Sequence, residues 1–189
     1  MVTKLETINF SVLDVFLKQP MNRSDLLSYF QNITSSDENI VAIQSFRQDS
    51  LLNEKHLFSA VFHSWNAFET EGMISKNLSV EFLLYLSGQR QISKALELFG
   101  LPNKVERFSV IFFHVKELPK DYITTSAFSG LIKQITNLTI SDTLKKRKEL
   151  ASFFNYSFAN DDSYLQSEEG FINLQNFILT TISNVVFEA

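Results

Sequence analysis

Phenylalanine constrains the fold of this chain more than any other residue type. It occurs 19 times among 189 residues, and hydrophobic residues make up 44% of the sequence. So many aromatic side chains must lie mostly in a core, because an exposed apolar patch of that size would cause aggregation. A chain of this length can bury such a core in one ordinary domain. We therefore expect a globular protein with a single domain over residues 1–189.

Glycine and proline are scarce, with 5 and 3 copies, so the secondary-structure elements are expected to be long. Apolar and β-branched segments predict strands at residues 7–16, 40–46, 80–86 and 108–115. Apolar residues at helical spacing predict helices at about 22–33, 54–71, 92–99, 128–135, 144–154 and 167–187. Strands that alternate with helices indicate an α/β (α+β) fold, with a single mixed β-sheet of about four strands and helices packed around it.

The composition argues against several classes of protein. The chain has no cysteine, which excludes disulfides, thiolate metal sites and cysteine nucleophiles. The longest apolar runs are far too short to span a bilayer, and no signal-peptide pattern is visible, so we expect a cytoplasmic protein without a membrane partner. His56 and His63 could share one helix face, but no third ligand is evident, so neither a metal nor a cofactor is expected.

No arrangement of residues indicates catalysis. Glu69 and Glu71 are two positions apart near a helix end and cannot face each other as an acid/base pair. Ser87 does not lie in the Gly-x-Ser-x-Gly pattern of a hydrolase nucleophile. We therefore expect a protein that is not an enzyme and has no small-molecule substrate.

The segment Ser87-Gly88-Gln89-Arg90-Gln91-Ile92 lies between a predicted strand and a predicted helix. A glycine turn at a helix start presents free backbone N–H groups, and Arg90 adds a planar cation, so an anion could bind there. Gln89 and Gln91 both donate and accept hydrogen bonds, and Ile92 offers an apolar surface. Such a mixture suits a short single-stranded RNA end. The simpler interpretation is a glycine turn with a solvent-facing arginine.

The overall charge limits how RNA could bind. A formal net charge of −4 argues against a protein that attracts nucleic acid through its global field. A site would have to be local and depend on few cations. The basic run Lys145-Lys146-Arg147-Lys148 is either a solvated helix face or a secondary contact to an RNA backbone.

A longer pattern surrounds the glycine turn. It comprises the segments Glu54–Leu57, Ala67–Glu69, Asn77–Ile92 and Ala95–Gly100. Together these segments resemble the TPRKB (PRPK-binding protein) family of accessory subunits of the KEOPS complex, with a family-like core over about residues 40–187. Arg90 makes the chain similar to the archaeal branch of that family.

The resemblance implies a non-catalytic subunit of a complex that makes threonylcarbamoyl-adenosine in tRNA. Such a subunit binds a Bud-type (PRPK-like) kinase and recruits tRNA by its 3′ CCA tail. The implied tRNA contacts are Ser87, Gly88, Gln89, Arg90, Gln91 and Ile92, with His56, Lys76 and Lys94 added for their closeness in the pattern and their charge. The alternative is a protein-interaction module that binds and regulates a kinase without binding RNA.

The last predicted helix has a wide apolar stripe, which is either core or core plus a partner surface. The partner-binding candidates on it are Ile172, Leu179 and Val186.

Overall fold

The computed structural model describes residues 2–4, 9–119, 122 and 130–185, and the chain forms two compact units. The first unit comprises Met1–Gln48 and Gly100–Thr139, and the second comprises Asp49–Phe99 and Ile140–Ala189. The chain therefore passes from the first unit to the second after residue 48, returns to the first unit at residue 100, and enters the second unit again after residue 139. The expectation of a single domain stays a prediction.

The first unit consists of an antiparallel sheet and one helix. Its elements are β1 (Val2–Lys4), β2 (Asn9–Asn22), α1 (Arg23–Ser36), β3 (Ile40–Phe46), β4 (Lys104–His114) and β5 (Ile132–Asn137). The strand order is β1-β2-β4-β3, and β5 also pairs with β2. The α+β class is confirmed. The expectation of a mixed sheet is wrong, since each pairing among the described strands is antiparallel; apolar patterns identify strands but not their directions.

The core of the first unit lies between the sheet and α1. Leu26 and Phe30 of α1 are buried, and the Phe30 ring lies edge-on to Phe108 of β4 at 5.9 Å. Asp14 of β2 is fully buried, and its carboxylate accepts hydrogen bonds from the Ser109 hydroxyl and the Thr139 N–H.

The second unit is helical. Its elements are α2 (Glu54–Glu69), α3 (Leu78–Ser87), α4 (Ile92–Leu98), α5 (Leu144–Phe153), α6 (Asp162–Gln166) and α7 (Glu168–Ser183). The predicted cap Asn53 is confirmed, because its side chain accepts from the His56 N–H at the start of α2. None of the helices in the described ranges has the length and apolarity needed to cross a bilayer.

Two predicted elements are wrong in type. Residues 80–86, predicted as a central strand, belong to α3, which begins after the Asn77 cap and ends at Gly88. A short run that is apolar on all sides fits a buried helix as well as a buried strand. The helix predicted at 128–135 is also wrong, because residues 132–137 form β5, where Ile135 pairs with Val15; Phe128 lies outside the described residues. The strand at 40–46 is confirmed with its predicted bounds.

Candidate functional site

The turn after α3 is built around Gly88. Its φ of 61° and ψ of 24° place it in the left-handed region, where glycine ends helices at little cost. The Gly88 N–H donates to the Tyr85 carbonyl and the Gln89 N–H to the Leu84 carbonyl, both at 3.0 Å. The expectation of free amides is therefore wrong for these two residues, because both amides cap α3.

Gly88 also packs against other parts of the second unit. A Cβ atom at this position would lie 2.8 Å from Cε1 of Phe154 and 2.9 Å from Cγ2 of Thr181. The turn therefore sits directly on the end of α5 and on the C-terminal half of α7. This packing brings residues 88–94 beside residues that lie about ninety positions later in the chain.

A cleft of about 350 Å³ forms where the turn meets α7. We call it the Arg90 cleft; it is lined by Gly88, Gln89, Arg90, Gln91, Lys94, Phe177, Thr180, Thr181, Asn184 and Val185. The described lining holds two cations and no carboxylate, in contrast with the net charge of −4 of the chain. The cleft can therefore attract an anion locally.

Arg90 is exposed, and its guanidinium is oriented by the backbone. Its Nη1 donates to the Val185 carbonyl at 2.9 Å. Among the residues that the structure describes, no carboxylate pairs with Arg90. Its charge is therefore not neutralised by a described neighbour.

Two of the predicted RNA contacts are buried. Ser87 is inaccessible, and its hydroxyl donates to the Leu84 carbonyl at 3.0 Å. His56 is also inaccessible: its Nε2 is 2.8 Å from the Leu86 carbonyl and its Nδ1 accepts from the Leu52 N–H at 3.3 Å. Burial is the main cause that lowers the pKa of His56 to about 4, so its ring is neutral at pH 7. These side chains hold the end of α3 rather than facing the cleft.

Two further predicted contacts are exposed but lie away from the cleft lining. Lys76 precedes α3, and a ten-residue helix of about 15 Å separates it from the turn at the other end. Ile92 is exposed at the start of α4 but does not line the Arg90 cleft. The structure therefore brings together Gly88, Gln89, Arg90, Gln91 and Lys94 from the predicted set.

The partner-binding candidates on the last helix have different environments. Ile172 is 44% exposed, Leu179 is half-buried, and Val186 lies outside the described residues. On the opposite face Leu174 and Ile178 are fully buried. The helix thus has a core face together with an exposed apolar position.

The α7 side of the cleft was not predicted. Phe177 is 37% exposed and lies 5.1 Å from the Tyr156 ring. Four polar residues at the end of an apolar helix, Thr180, Thr181, Ser183 and Asn184, are a visible signal that one side of this end faces water. Nothing in the sequence indicates that it meets the turn at residues 88–94.

Most side chains of the basic run on α5 bond to other groups of the second unit. Lys146 is buried and donates to the Ser141 carbonyl. Arg147 pairs with Asp142 and lies 4.4 Å above the Phe171 ring. Lys148 pairs with Asp162 at 2.8 Å. Only Lys145 of the run has a loose ion pair, at 3.9 Å from Glu149, so the run offers little charge for a secondary RNA contact.

In the described ranges, no group of three or more His, Asp or Glu side chains could hold a metal ion.

Comparison with known proteins identifies the family. No curated protein sequence matches the chain. The family model described as "Kinase binding protein CGI-121" matches residues 28–184, which is most of the chain. The match begins earlier than residue 40, where the family-like core was expected to begin. The predicted TPRKB-type relationship is thereby confirmed at the level of the family. The chain belongs to the CGI-121 family of kinase-binding proteins.

Proposed function

We propose that the protein is a non-catalytic KEOPS subunit that binds the 3′ CCA tail of tRNA and the Bud-type kinase of the complex. In this role it supports the formation of threonylcarbamoyl-adenosine in tRNA. The single observation that carries the RNA half is the Arg90 cleft, an open cleft with two cations and no described carboxylate. Family membership supports the kinase half. The presence of Arg90 supports a place in the archaeal branch.

The cleft chemistry suits a short single-stranded end. Arg90 and Lys94 supply charge for a phosphate, while the side-chain amides of Gln89 and Gln91 reach base edges. The exposed ring of Phe177 offers a surface for stacking. Because each phosphate neutralised on a single strand contributes a slope of about −0.7, two cations predict a shallow salt dependence, about −1.4 in a plot of log affinity against log salt.

Direct binding to tRNA tests the RNA half. Intact tRNA should bind, and tRNA trimmed of its CCA end should not. Arg90→Glu should lower the affinity at least tenfold, because it replaces a cation in the cleft by an anion. Lys55→Glu makes the same charge change at an exposed position on α2 and should have little effect. Equal affinities for intact and trimmed tRNA would contradict the proposal.

Co-purification with the kinase tests the other half. Ile172→Asp places a charge on an exposed apolar residue, so the fold should survive while kinase binding weakens. The same change at the buried Leu174 should unfold the unit, and comparison of the two melting curves separates docking from folding. If Ile172→Asp binds the kinase as well as the unchanged protein does, the kinase docks elsewhere.

A kinase-binding module without RNA binding is the second candidate. It is favoured by the net charge of −4 of the chain. Capture of the kinase together with no measurable tRNA binding would support this alternative.

A further inference from the structure

A second cleft, of about 310 Å³, lies beside the first in the same unit. We call it the His63 cleft; its lining includes Phe62, His63, Asn66, Tyr85, Ser183 and Asn184. Asn184 lines both clefts. One elongated ligand could therefore occupy both.

The walls of the His63 cleft are aromatic. The Phe62 side chain is 55% exposed, and its ring lies edge-on to the His63 ring at 5.3 Å. The His63 ring in turn lies nearly parallel to the Tyr85 ring, at 5.8 Å with an interplanar angle of 14°. The exposed Phe62 ring and the half-buried His63 ring offer surfaces on which a flat ring can stack, and the buried Tyr85 ring supports His63 from within the unit.

The polar groups of this cleft are neutral. Among the described residues, no hydrogen-bond partner is found for the His63 ring nitrogens, the Tyr85 hydroxyl or the Asn66 side-chain amide. Burial lowers the pKa of His63, so its imidazole is neutral at pH 7 and offers one donor and one acceptor. Burial is also the main cause that raises the pKa of Tyr85 to about 12, so its hydroxyl remains a donor.

The two clefts differ in charge. The described lining of the His63 cleft contains neither Lys or Arg nor Asp or Glu, whereas the Arg90 cleft contains two cations. A phosphate would find no cation in the His63 cleft, while a neutral heteroaromatic ring would find stacking surfaces together with hydrogen-bond donors and acceptors.

We propose that the His63 cleft binds a nucleobase, contributed by an RNA end whose backbone lies in the Arg90 cleft. This inference rests on the proposed function and divides the ligand between the two clefts. The cationic cleft holds the phosphates, and the neutral aromatic cleft receives one base. Asn184, at their shared edge, can contact the nucleotide that passes between them.

Binding of abasic RNA tests the inference. The probes are a short single-stranded RNA that ends in CCA and three versions that each lack one of the last three bases. His63→Ala should weaken binding of the intact RNA about tenfold, the loss typical of one stacked base. The same variant and the unchanged protein should bind equally well to the RNA that lacks the base held in the cleft.

Two further variants serve as controls. Phe158→Ala removes an aromatic ring that is 48% exposed but lines neither cleft, and it should leave the affinity unchanged. Tyr85→Phe removes only the hydroxyl and keeps the stacked ring, so it tests the cleft even if His63→Ala does not fold. It should weaken binding of the intact RNA severalfold and leave binding of one abasic RNA unchanged.

The outcomes separate the two proposals. If Arg90→Glu abolishes RNA binding while neither His63→Ala nor Tyr85→Phe changes the affinity for any RNA, the base site is wrong and the proposed function stands. If the unchanged protein binds no RNA, the proposed function fails. Titration with free cytidine and adenosine, followed by NMR of the His63 ring signals, then decides the inference: shifted signals support a base site, and unshifted signals overturn it.

Discussion

The two compact units both bury polar side chains completely, but these side chains perform different tasks. In the first unit, the Asp14 carboxylate accepts from the Ser109 hydroxyl at 2.6 Å and from the Thr139 N–H at 2.9 Å. It therefore adds a link between segments that β2 already organises through its pairings with β4 and β5.

In the second unit, the buried polar groups fasten the two ends of α3. The Glu81 carboxylate accepts from the N–H groups of Ile74 and Ser75, in the segment that leads into the helix. The buried His56 ring bonds to Leu86, two residues before Gly88. Each of these hydrogen bonds fixes a segment that is not held by pairing with a neighbouring strand.

The two units therefore differ in how loss of a buried polar side chain should affect the candidate site. A sheet sets the geometry of its strands through backbone hydrogen bonds, whereas a turn depends on the side chains around it. Loss of a buried polar side chain in the first unit should therefore cost stability alone. The corresponding loss in the second unit should also disturb the turn at residues 88–94.

The largest effect is expected from His56→Ala. The substitution removes a buried ring that contacts Phe99 and Phe154 edge-on and leaves two backbone groups without their partner. We expect a loss of about 3–5 kcal/mol in the free energy of unfolding, measured by urea denaturation.

The control for that variant is the corresponding histidine of the first unit. His114 is equally buried and bonds to the Ser11 hydroxyl and the Lys116 carbonyl. Both variants should be destabilised, but only His56→Ala should accelerate hydrogen exchange at the amides of Gly88 and Gln89. Equally accelerated hydrogen exchange at these amides in His114→Ala would contradict the distinction between the units.

The next effect is a pH dependence from the same residue. Burial lowers the pKa of His56 from 6.5 to about 4, so between these values the unfolded chain binds a proton that the folded chain does not. Stability should therefore fall as the pH drops from about 6.5 to 4, by about 3 kcal/mol for this group.

Urea denaturation at a series of pH values measures this contribution. Burial also lowers the pKa of His63 and His114, so the wild-type protein is compared with His56→Ala to isolate one histidine. If both proteins lose stability equally over this window, His56 is not the source of the effect.

Gly88→Ala should have an intermediate effect. It combines a left-handed backbone with a Cβ that would crowd Phe154 and Thr181, and we expect a loss of about 2 kcal/mol. Gly130 in the first unit also has a positive φ, of 95°, but its Cβ position has no atom within 4 Å from the residues that the structure describes, its chain neighbours apart. Gly130→Ala should therefore cost only the backbone term, about 1 kcal/mol, and calorimetry of the two variants separates crowding from backbone strain.

The smallest effect is expected at the helix caps. The Asn53 side chain accepts from the His56 N–H and begins α2, so Asn53→Ala should cost about 1 kcal/mol. Asn22 occupies the corresponding position before α1 but makes no side-chain cap bond, so Asn22→Ala should cost less. A larger loss for Asn22→Ala in thermal unfolding would reverse this order.

Each unit contains one element whose predicted type is wrong, residues 128–135 in the first unit and residues 80–86 in the second. The strand at residues 40–46 has its predicted bounds, because β-branched and apolar residues end at clear polar boundaries. The apolar run at residues 80–86 has no period, which predicts a buried strand but is also what a helix buried on all sides produces. Asn77 and Gly88, a capping residue and a helix-ending glycine with ten residues between them, carry the signal that favours the helix.

Prediction of the candidate site from the sequence has a similar limit. Gln89, Arg90, Gln91 and Lys94 come together because they are neighbours in the chain, so their sequence was sufficient to group them. Asn184 lines both clefts only because α7 packs on the turn, and a single sequence contains no signal for that pairing. The burial of His56 and Ser87 likewise follows from tertiary packing.

The contact between Arg90 and the Val185 carbonyl has a consequence for affinity. A guanidinium has five N–H donors, and this contact uses one of them while limiting the rotamers of a long side chain. Freezing such a side chain costs up to about 2 kcal/mol of conformational entropy. An arginine already held at one corner loses less of that freedom when an anion arrives, so a site with few cations can bind more tightly than its charge alone would predict.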